Sequence, residues 1–231
     1  VTPVTDLLRM QGNARALLTA ERSALNIVQH LCGIATMTRD YVAAMGVGSA
    51  TCTLLDTRKP LPGLRALEKY ATRMGGAQNH RMGLWDAAMI KDNHVAVAGS
   101  VGEAVRRAAE AGVKPIICEV DRLDQIEPAR EAVRRAVEAG VKDIICEVDR
   151  IDQIEPALEA GATHILLDNM NPQTLKQAVA LINGRAKTEA SGGINLDTIA
   201  DKAASGVDYC SVGRLTQSAP AADVGLDFTP L

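Results

Sequence analysis

The chain alternates short apolar segments with amphipathic ones, and this alternation restricts the fold more than any other feature. Eight apolar segments have the length of a strand: residues 52–57, 77–81, 87–91, 115–120, 143–148, 164–168, 187–191 and 207–212. Most are followed by a helical pattern, at residues 64–73, 102–110, 125–139, 153–160, 173–182 and 196–205. Repeated strand–helix units predict an α/β fold with a parallel sheet. Eight strands favour a closed (β/α)8 TIM-type barrel, although the connection 82–86 is too short for a crossover helix.

Length and composition are compatible with one barrel domain spanning residues 1–231. Hydrophobic residues make up 47% of the chain and aromatic residues only 2%, so the core must be aliphatic, as buried parallel strands usually are. Residues 1–20 read as a lead-in. A helix is then predicted from apolar residues spaced three and four apart, namely Ala24, Leu25, Val28, Leu31, Ile34 and Ala35.

Charge, hydropathy and cysteine usage exclude several classes of function. A net charge of −3 and a pI near 5.8 argue against binding to nucleic acid or to a membrane surface. No apolar run approaches the ~20 residues of a membrane span, and no leader peptide is recognisable, so a cytoplasmic location is expected. Five widely spaced cysteines predict buried, reduced thiols rather than disulfides or a metal clip.

The chain contains one internal repeat. Residues 103–129 and 131–157 are identical except at Ala109/Val137, Pro115/Asp143 and Leu123/Ile151. Repeat architectures normally need three or more units. A single near-identical copy of one helix–strand unit therefore indicates a recent or deliberate duplication, and an engineered origin is one interpretation.

Cationic side chains cluster within residues 56–94, at the ends of apolar segments. They are Arg58, Lys59, His80, Arg81 and Lys91. Cations are rarely buried unless paired, and Arg and Lys are the usual partners of carboxylate and phosphate groups. In an otherwise acidic chain, these residues predict a local site for an anion. The alternative is a set of solvated charges that flank helices.

Carboxylates occur at the corresponding ends of three further strands. Glu119 and Glu147 occupy equivalent positions in the two repeat copies, and Asp168 ends the next strand. In barrels, the carboxyl ends of the strands carry the active site. Two acids there could hold Mg²⁺ or stabilise a developing cation. Alternatively, they simply pair with Lys91 or Arg58.

Glycine turns follow the last two predicted strands. Ser191, Gly192 and Gly193 lie between a strand and a helix, and Gly213 follows the final strand. Such turns expose backbone N–H groups at a helix N-terminus, which suits phosphate. Phosphate sites after strands seven and eight recur in these barrels, so the pair of turns predicts phosphate binding.

Together these motifs resemble quinolinate phosphoribosyltransferase, the nicotinate-nucleotide pyrophosphorylase of NAD biosynthesis. The resemblance covers nearly the whole chain from about residue 20, apart from one copy of the repeat. The most specific block is the one containing NHR and IKDNH. The motifs are ERSALN, DTRKPLPGLR, GGAQNHRMGLWDAAMIKDNH, EVD, LLDNM, EASGGI and SVG, which begin at residues 21, 56, 75, 147 (or 119), 166, 189 and 211.

The resemblance implies a transferase that joins quinolinate to the phosphoribose of phosphoribosyl pyrophosphate, with Mg²⁺, release of pyrophosphate and decarboxylation to nicotinate mononucleotide. It implies three groups of site residues. Arg58, Lys59, His80, Arg81 and Lys91 would bind the quinolinate carboxylates; Glu147 (or Glu119) and Asp168 would contact the ribose and the metal; and Ser191, Gly192, Gly193 and Gly213 would bind the 5-phosphate. Arg22 matches an arginine that reaches a substrate site across a dimer.

Three departures from the family pattern bear on activity. The family carries an N-terminal domain that caps the partner's barrel, and this chain begins near its end, so we expect a monomer with a lost or altered dimeric site. The repeat adds a strand, and Pro60, Arg214 and Gln217 replace residues usual in the family. Two hypotheses follow: a phosphoribosyltransferase of weak or lost activity that still binds small anions, or an engineered closed-barrel scaffold without activity.

Overall fold

A computed structural model of the chain describes residues 5–46, 52–113, 115–119, 134 and 144–227. The first half contains α1 (Ala14–Met45), β1 (Thr53–Leu55), α2 (Arg65–Met74), β2 (Ala88–Ile90), α3 (Asp92–Ala98), α4 (Val101–Glu110) and β3 (Ile116–Glu119). The second half contains β4 (Ile144–Val148), a 3₁₀ turn (Ile151–Gln153), α5 (Ile154–Glu159), β5 (His164–Asp168), α6 (Pro172–Ile182), β6 (Lys187–Ser191), α7 (Ile199–Ala203), β7 (Tyr209–Ser211) and α8 (Arg214–Gln217).

The strands of the described residues form one parallel sheet in the order β1-β7-β6-β5-β4-β3-β2. This confirms the predicted α/β class. The sheet is curled, because one cavity is lined by Leu55 at one end of the strand order, by Ile117 near the other end and by Ala87 just before β2. A flat sheet would hold these residues many strand spacings apart. The strands therefore surround a common interior, as in a barrel.

Burial alternates along β4, whose two faces point to the covering helices and to the barrel interior, whereas the middle residues of β5 and β6 are buried on both faces. In β4, Ile144, Cys146 and Val148 are buried while Ile145 and Glu147 between them are half-buried. The first set belongs to the apolar core beneath the helices, whereas Ile145 lines the interior cavity. Polar and charged residues of the inner face are thereby collected inside the barrel.

Both copies of the repeat contribute a strand. Ile116, Ile117, Cys118 and Glu119 of β3 pair in register with Ile144, Ile145, Cys146 and Glu147 of β4. The duplicated unit is therefore built into the sheet and widens it by one strand. Most of the connecting helix predicted at 125–139 lies outside the described residues.

The segment 77–81 was predicted to be a full strand, and this is wrong. It joins the sheet only through Gln78, whose N–H donates to Leu54 O and whose carbonyl accepts from Asp56 N (2.9 and 3.1 Å). Two residues later the backbone turns away, because the N–H of His80 donates to the carboxylate of Asp56 instead of continuing the ladder. Side-chain acceptors compete with sheet pairing in this way.

Helix boundaries also differ from those predicted. The lead-in is shorter, since α1 begins at Ala14, where the Asn13 side chain accepts from Arg15 N and Ala16 N. The predicted helix 196–205 is α-helical only over Ile199–Ala203, and α3 was not predicted at all. No helix within the described ranges has the length and apolar character needed to cross a membrane.

Candidate active site

The carboxyl ends of the strands gather most of the predicted site residues at one mouth of the barrel. Lys91 follows β2, Glu147 lies near the end of β4, and Asp168 and Ser191 end β5 and β6. Asp168 pairs in register with Ser191, and Glu147 pairs with Leu166, two residues before Asp168. Residues two apart on a strand share a face, so Glu147, Asp168 and Ser191 all belong to the inner face.

A buried carboxylate that we did not single out from the sequence holds the cationic segment in place. Asp56 is fully buried, and its Oδ1 accepts from Lys69 Nζ (2.6 Å) and from His80 N (2.8 Å). Its Oδ2 accepts from Asn79 Nδ2 (2.6 Å) and Thr72 Oγ1 (3.0 Å). Four donors on one carboxylate fix the backbone that presents His80 and the residue after it.

His80 and Arg81 lie half-buried beside this network. The Nδ1 of His80 accepts from Arg81 N at 2.8 Å, so a neutral ring carries its proton on Nε2 and can donate to an anion. Burial, above all, lowers the pKa of His80, and Lys69 and Arg81 lower it further. Burial and then the neighbouring Arg58 lower the pKa of Arg81. Cations held this close together favour binding of an anion.

Lys91 and Glu147 meet across the mouth. The ammonium of Lys91 lies 3.3 Å from Glu147 Oε2, although β3 separates their strands in the sheet. The pairing that we had kept as an alternative for the acids is therefore present for Glu147. Glu119 is opposite Glu147 in the backbone register, and its side chain lies outside the described part of the structure.

The turn after β6 is shaped by tight packing against the end of β5. Gly192 has φ +79°, and a Cβ there would collide with Asn169 Oδ1. Asn169 in turn donates from Nδ2 to Asp168 Oδ2 at 2.6 Å. Lys202 from α7, which sequence reasoning missed, donates to Gly192 O at 3.0 Å. Only glycine fits here, so the acid at the end of β5 and the glycine turn form one rigid unit.

The turn after β7 lies next to the cationic segment. A Cβ on Gly213 would stand 3.2 Å from Lys59 Cδ and 3.6 Å from Thr57 Oγ1. The loop that carries Lys59 is held by a hydrogen bond to α2: the fully buried carboxylate of Glu68 accepts from Leu61 N at 3.1 Å. The predicted phosphate turn and the predicted dicarboxylate cations are thus neighbours.

The side chains of Arg22 and Arg214 do not meet this cluster through any contact that the described residues provide, whereas Gln217 Nε2 would stand 3.8 Å from a Cβ on Gly213 and so lies beside the turn after β7. Arg22 on α1 has an exposed side chain whose nearest acidic partner is Glu21 at 3.8 Å. Arg214 is exposed at the start of α8, and Gln217 is exposed at its end. A role for Arg22 across a dimer remains a prediction.

The donor set for a metal ion is small. Within the described ranges, no group of three or more His, Cys, Asp and Glu side chains could hold one. Glu147 and Asp168 offer two carboxylates on neighbouring strands of the inner face. That set suits Mg²⁺, which binds through one or two carboxylates and takes its other ligands from water and substrate phosphates.

Comparison with known proteins identifies related chains. The sequence profile of the family "Quinolinate phosphoribosyl transferase, C-terminal domain" matches residues 34–132 and again residues 123–227. Each match contains one complete copy of the repeat. The chain is 40% identical over 225 residues to a probable nicotinate-nucleotide pyrophosphorylase [carboxylating] of Bacillus subtilis, and 44% identical over 226 residues to the Mycobacterium leprae enzyme of that name. These alignments cover 96% of this chain and 68% and 69% of the two relatives.

Solved structures give the same result. The chain superposes on the crystal structure of NadC from Streptococcus pyogenes with a TM-score of 0.71 and 42% identity, covering 92% of this chain and 65% of that one. It also superposes on a nicotinate-nucleotide pyrophosphorylase from Ehrlichia chaffeensis with a TM-score of 0.71 and 35% identity, covering 91% and 66%. The chain spans about two thirds of the length of these proteins. It belongs to the quinolinate phosphoribosyltransferase family.

Proposed function

We propose that the chain transfers phosphoribose from phosphoribosyl pyrophosphate to quinolinate, a step of NAD biosynthesis. The quinolinate nitrogen attacks C1 of the ribose, pyrophosphate leaves, and decarboxylation gives nicotinate mononucleotide. One observation carries the proposal: a single barrel mouth holds Lys91 beside Glu147 and Lys59 beside Gly213. Groups for a dicarboxylate, a ribose and a phosphate therefore adjoin one another.

The cations would hold the two carboxylates of quinolinate. Arg81 and Arg58 can each bind a carboxylate with two parallel hydrogen bonds, and Lys91 and Lys59 add point charges. A neutral His80 supplies an N–H donor. The buried Asp56 network supports this role, because it fixes the backbone at His80 and limits the rearrangement needed on binding.

Glu147 and Asp168 would face the ribose, where positive charge develops as the bond at C1 breaks. Carboxylates fixed near such a charge stabilise the transition state. They would also hold Mg²⁺, which neutralises the pyrophosphate as it leaves. Lys91 compensates the charge of Glu147 before substrate arrives. Glu119 is the equivalent residue of the other repeat copy and is the alternative for this position.

The glycine turns would hold the 5-phosphate. The tight packing of Gly192 against Asn169 fixes the turn of Ser191, Gly192 and Gly193, and the space at the Cβ position of Gly193 is open, with nothing within 4 Å. Gly213 would contribute from the neighbouring strand. Arg22 would act on the site of a second copy, as in the dimeric family; a monomer would lack this contact. A cytoplasmic location is part of the same proposal.

The assay mixes the protein, Mg²⁺, quinolinate and phosphoribosyl pyrophosphate and measures nicotinate mononucleotide by chromatography. We expect product that depends on all components. Lys91→Met should lower the rate at least about tenfold, because it removes a charge from the mouth. Lys176→Met changes an exposed lysine on α6 and is the matched control. No product from the wild-type protein at high concentration would refute the proposal.

A second candidate is a closed-barrel scaffold without turnover, which the near-identical repeat favours. The additional strand β3 lies between Lys91 and Glu147 in the sheet order, and it changes the spacing of the mouth. If the wild-type protein binds quinolinate in calorimetry but forms no product, this candidate is the better description.

A further inference from the structure

A histidine on α1 contacts the carboxylate that holds the Lys59 loop (residues 57–63). The half-buried His30 lies with Nε2 2.7 Å from Oε1 of Glu68, and the other oxygen of this carboxylate accepts from Leu61 N at 3.1 Å. A carboxylate oxygen accepts, so the ring donates from Nε2. Glu68 is fully buried on α2. One buried carboxylate therefore joins α1 to the loop, and none of the roles proposed above uses His30.

The Lys59 loop has few other attachments. Pro60 and Pro62 flank Leu61 and have no N–H group, so Leu61 N is the backbone donor of this stretch. In the part of the chain that the structure describes, the remaining hydrogen bonds of the loop span at most three positions along the chain. The contact with Glu68 is thus the hydrogen bond that fixes the middle of the loop to α2.

The segment of α1 that carries His30 is itself fixed by close packing. A Cβ on Gly33, about one turn later, would collide with Pro220 O. Further along the helix, Thr38 lies so close to the residue after α2 that a Cβ on Gly75 would collide with its side chain. Backbones packed this closely leave little room for α1 to shift. His30 therefore reaches Glu68 from a rigid support.

The loop presents two exposed cations at the mouth, Arg58 and Lys59. Lys59 Cδ would stand 3.2 Å from a Cβ on Gly213, at the turn after β7. Burial and then the charge of Arg58 lower the pKa of Arg81, so these two guanidinium groups lie near each other. A shift of the loop would therefore move both cations relative to the rest of the site.

We propose that His30 is a positioning residue of the dicarboxylate site: through Glu68 it holds the Lys59 loop in the conformation that presents both cations to substrate. The proposal rests on the function proposed above. Without the His30 donor, Oε1 of Glu68 is buried with one hydrogen bond fewer, which is costly. Rotation of the carboxylate towards another donor then releases Leu61 N. Quinolinate loses well-placed cations, whereas the carboxylates at the ends of β4 and β5 are untouched.

Hydrogen exchange at the Leu61 amide measures the state of the loop directly. Leucine amides are labelled with ¹⁵N, and the Leu61 signal is identified with Leu61→Met. In His30→Leu, which removes the donor, this N–H should exchange at least about tenfold faster than in the wild-type protein. His30→Gln keeps an N–H donor near the position of Nε2 and should bring exchange back to within about threefold of wild type. Unchanged exchange in His30→Leu, or equally fast exchange in His30→Gln, would overturn the proposal.

Steady-state kinetics separate positioning from a merely structural role. In His30→Leu the KM for quinolinate should rise at least about fivefold with kcat within about twofold of wild type, because binding is weakened while the groups facing the ribose are unchanged. His30→Gln should recover the KM. Arg39→Leu removes an exposed ion pair with Asp40 on the same helix and should leave the KM unchanged. An unchanged KM in His30→Leu would contradict the proposal.

Two further points keep the test decisive. His30→Asn, whose amide is too short to reach Glu68, takes the place of His30→Leu in both measurements if that variant does not fold. If the wild-type protein forms no product, the proposed transferase activity fails, and exchange at Leu61 still decides whether His30 holds the loop.

Discussion

Replacing Asp56 by Asn tests the buried network beneath the cationic segment. All four donors to this carboxylate come from groups that are buried or half-buried, and Lys69 among them is 1% exposed. Asparagine has one carbonyl oxygen, so its NH₂ group would face two donors, and Lys69 would lose its counter-charge. Removing one partner of a buried ion pair costs about 3–5 kcal/mol. We expect a loss of that size in the free energy of unfolding.

The measurement is denaturant unfolding followed by far-UV circular dichroism. The double variant Asp56→Asn/Lys69→Met removes both charges and should recover about 2 kcal/mol, because removing both partners is far less costly than stranding one. Glu155→Ala breaks an exposed ion pair with Arg185 and should leave the unfolding free energy close to wild type. The reasoning fails if Asp56→Asn costs less than about 1 kcal/mol or if the double variant is as unstable as the single one.

Three further predictions concern backbone, pH and thiols. Gly192→Ala should lower the free energy of unfolding by about 1–3 kcal/mol more than Gly184→Ala does, measured by the same unfolding assay. Both glycines have a positive φ, but only Gly192 is crowded by neighbouring atoms. Equal losses in the two variants would contradict this prediction. Because the pKa of His80 is lowered in the fold, its contribution to stability is complete above about pH 6.5 and is lost as pH falls towards the folded pKa. The denaturant midpoint of unfolding should therefore decrease less steeply between pH 7.5 and 5.5 in His80→Gln than in the wild-type protein. Parallel slopes of the two proteins would refute this prediction. Burial raises the pKa of Cys146 to about 12 and raises that of Cys118, so neither thiol should react with a disulfide reagent before unfolding, and early labelling of either would be contrary to expectation.

The regular part of the fold was predictable because local pattern determines it. The segments 164–168 and 187–191 were predicted at their observed bounds, since apolar β-forming runs between helical patterns leave little choice. The segment 77–81 also looks like a strand from its sequence, but its backbone N–H at His80 donates to the carboxylate of Asp56, more than twenty residues earlier in the chain. A contact between distant residues cannot be read from the periodicity of either segment.

The candidate site was predictable as a set of residue types and not as a network. Strand-end cations, acids and glycines identified the mouth, because carboxyl ends of parallel strands meet at one edge. Glu68 and Lys202 were missed, since each lies within an ordinary helical pattern and its contact, to Leu61 N and Gly192 O respectively, exists only after folding.

The central claim is that the cations of the barrel mouth form a dicarboxylate site, and isothermal calorimetry tests it most directly. Quinolinate should bind at least about tenfold more tightly than nicotinate, which has one carboxylate fewer. Arg81→Gln should remove most of that difference, and Lys176→Met should not. Binding of quinolinate no tighter than that of nicotinate, or the same preference in Arg81→Gln, would contradict the account.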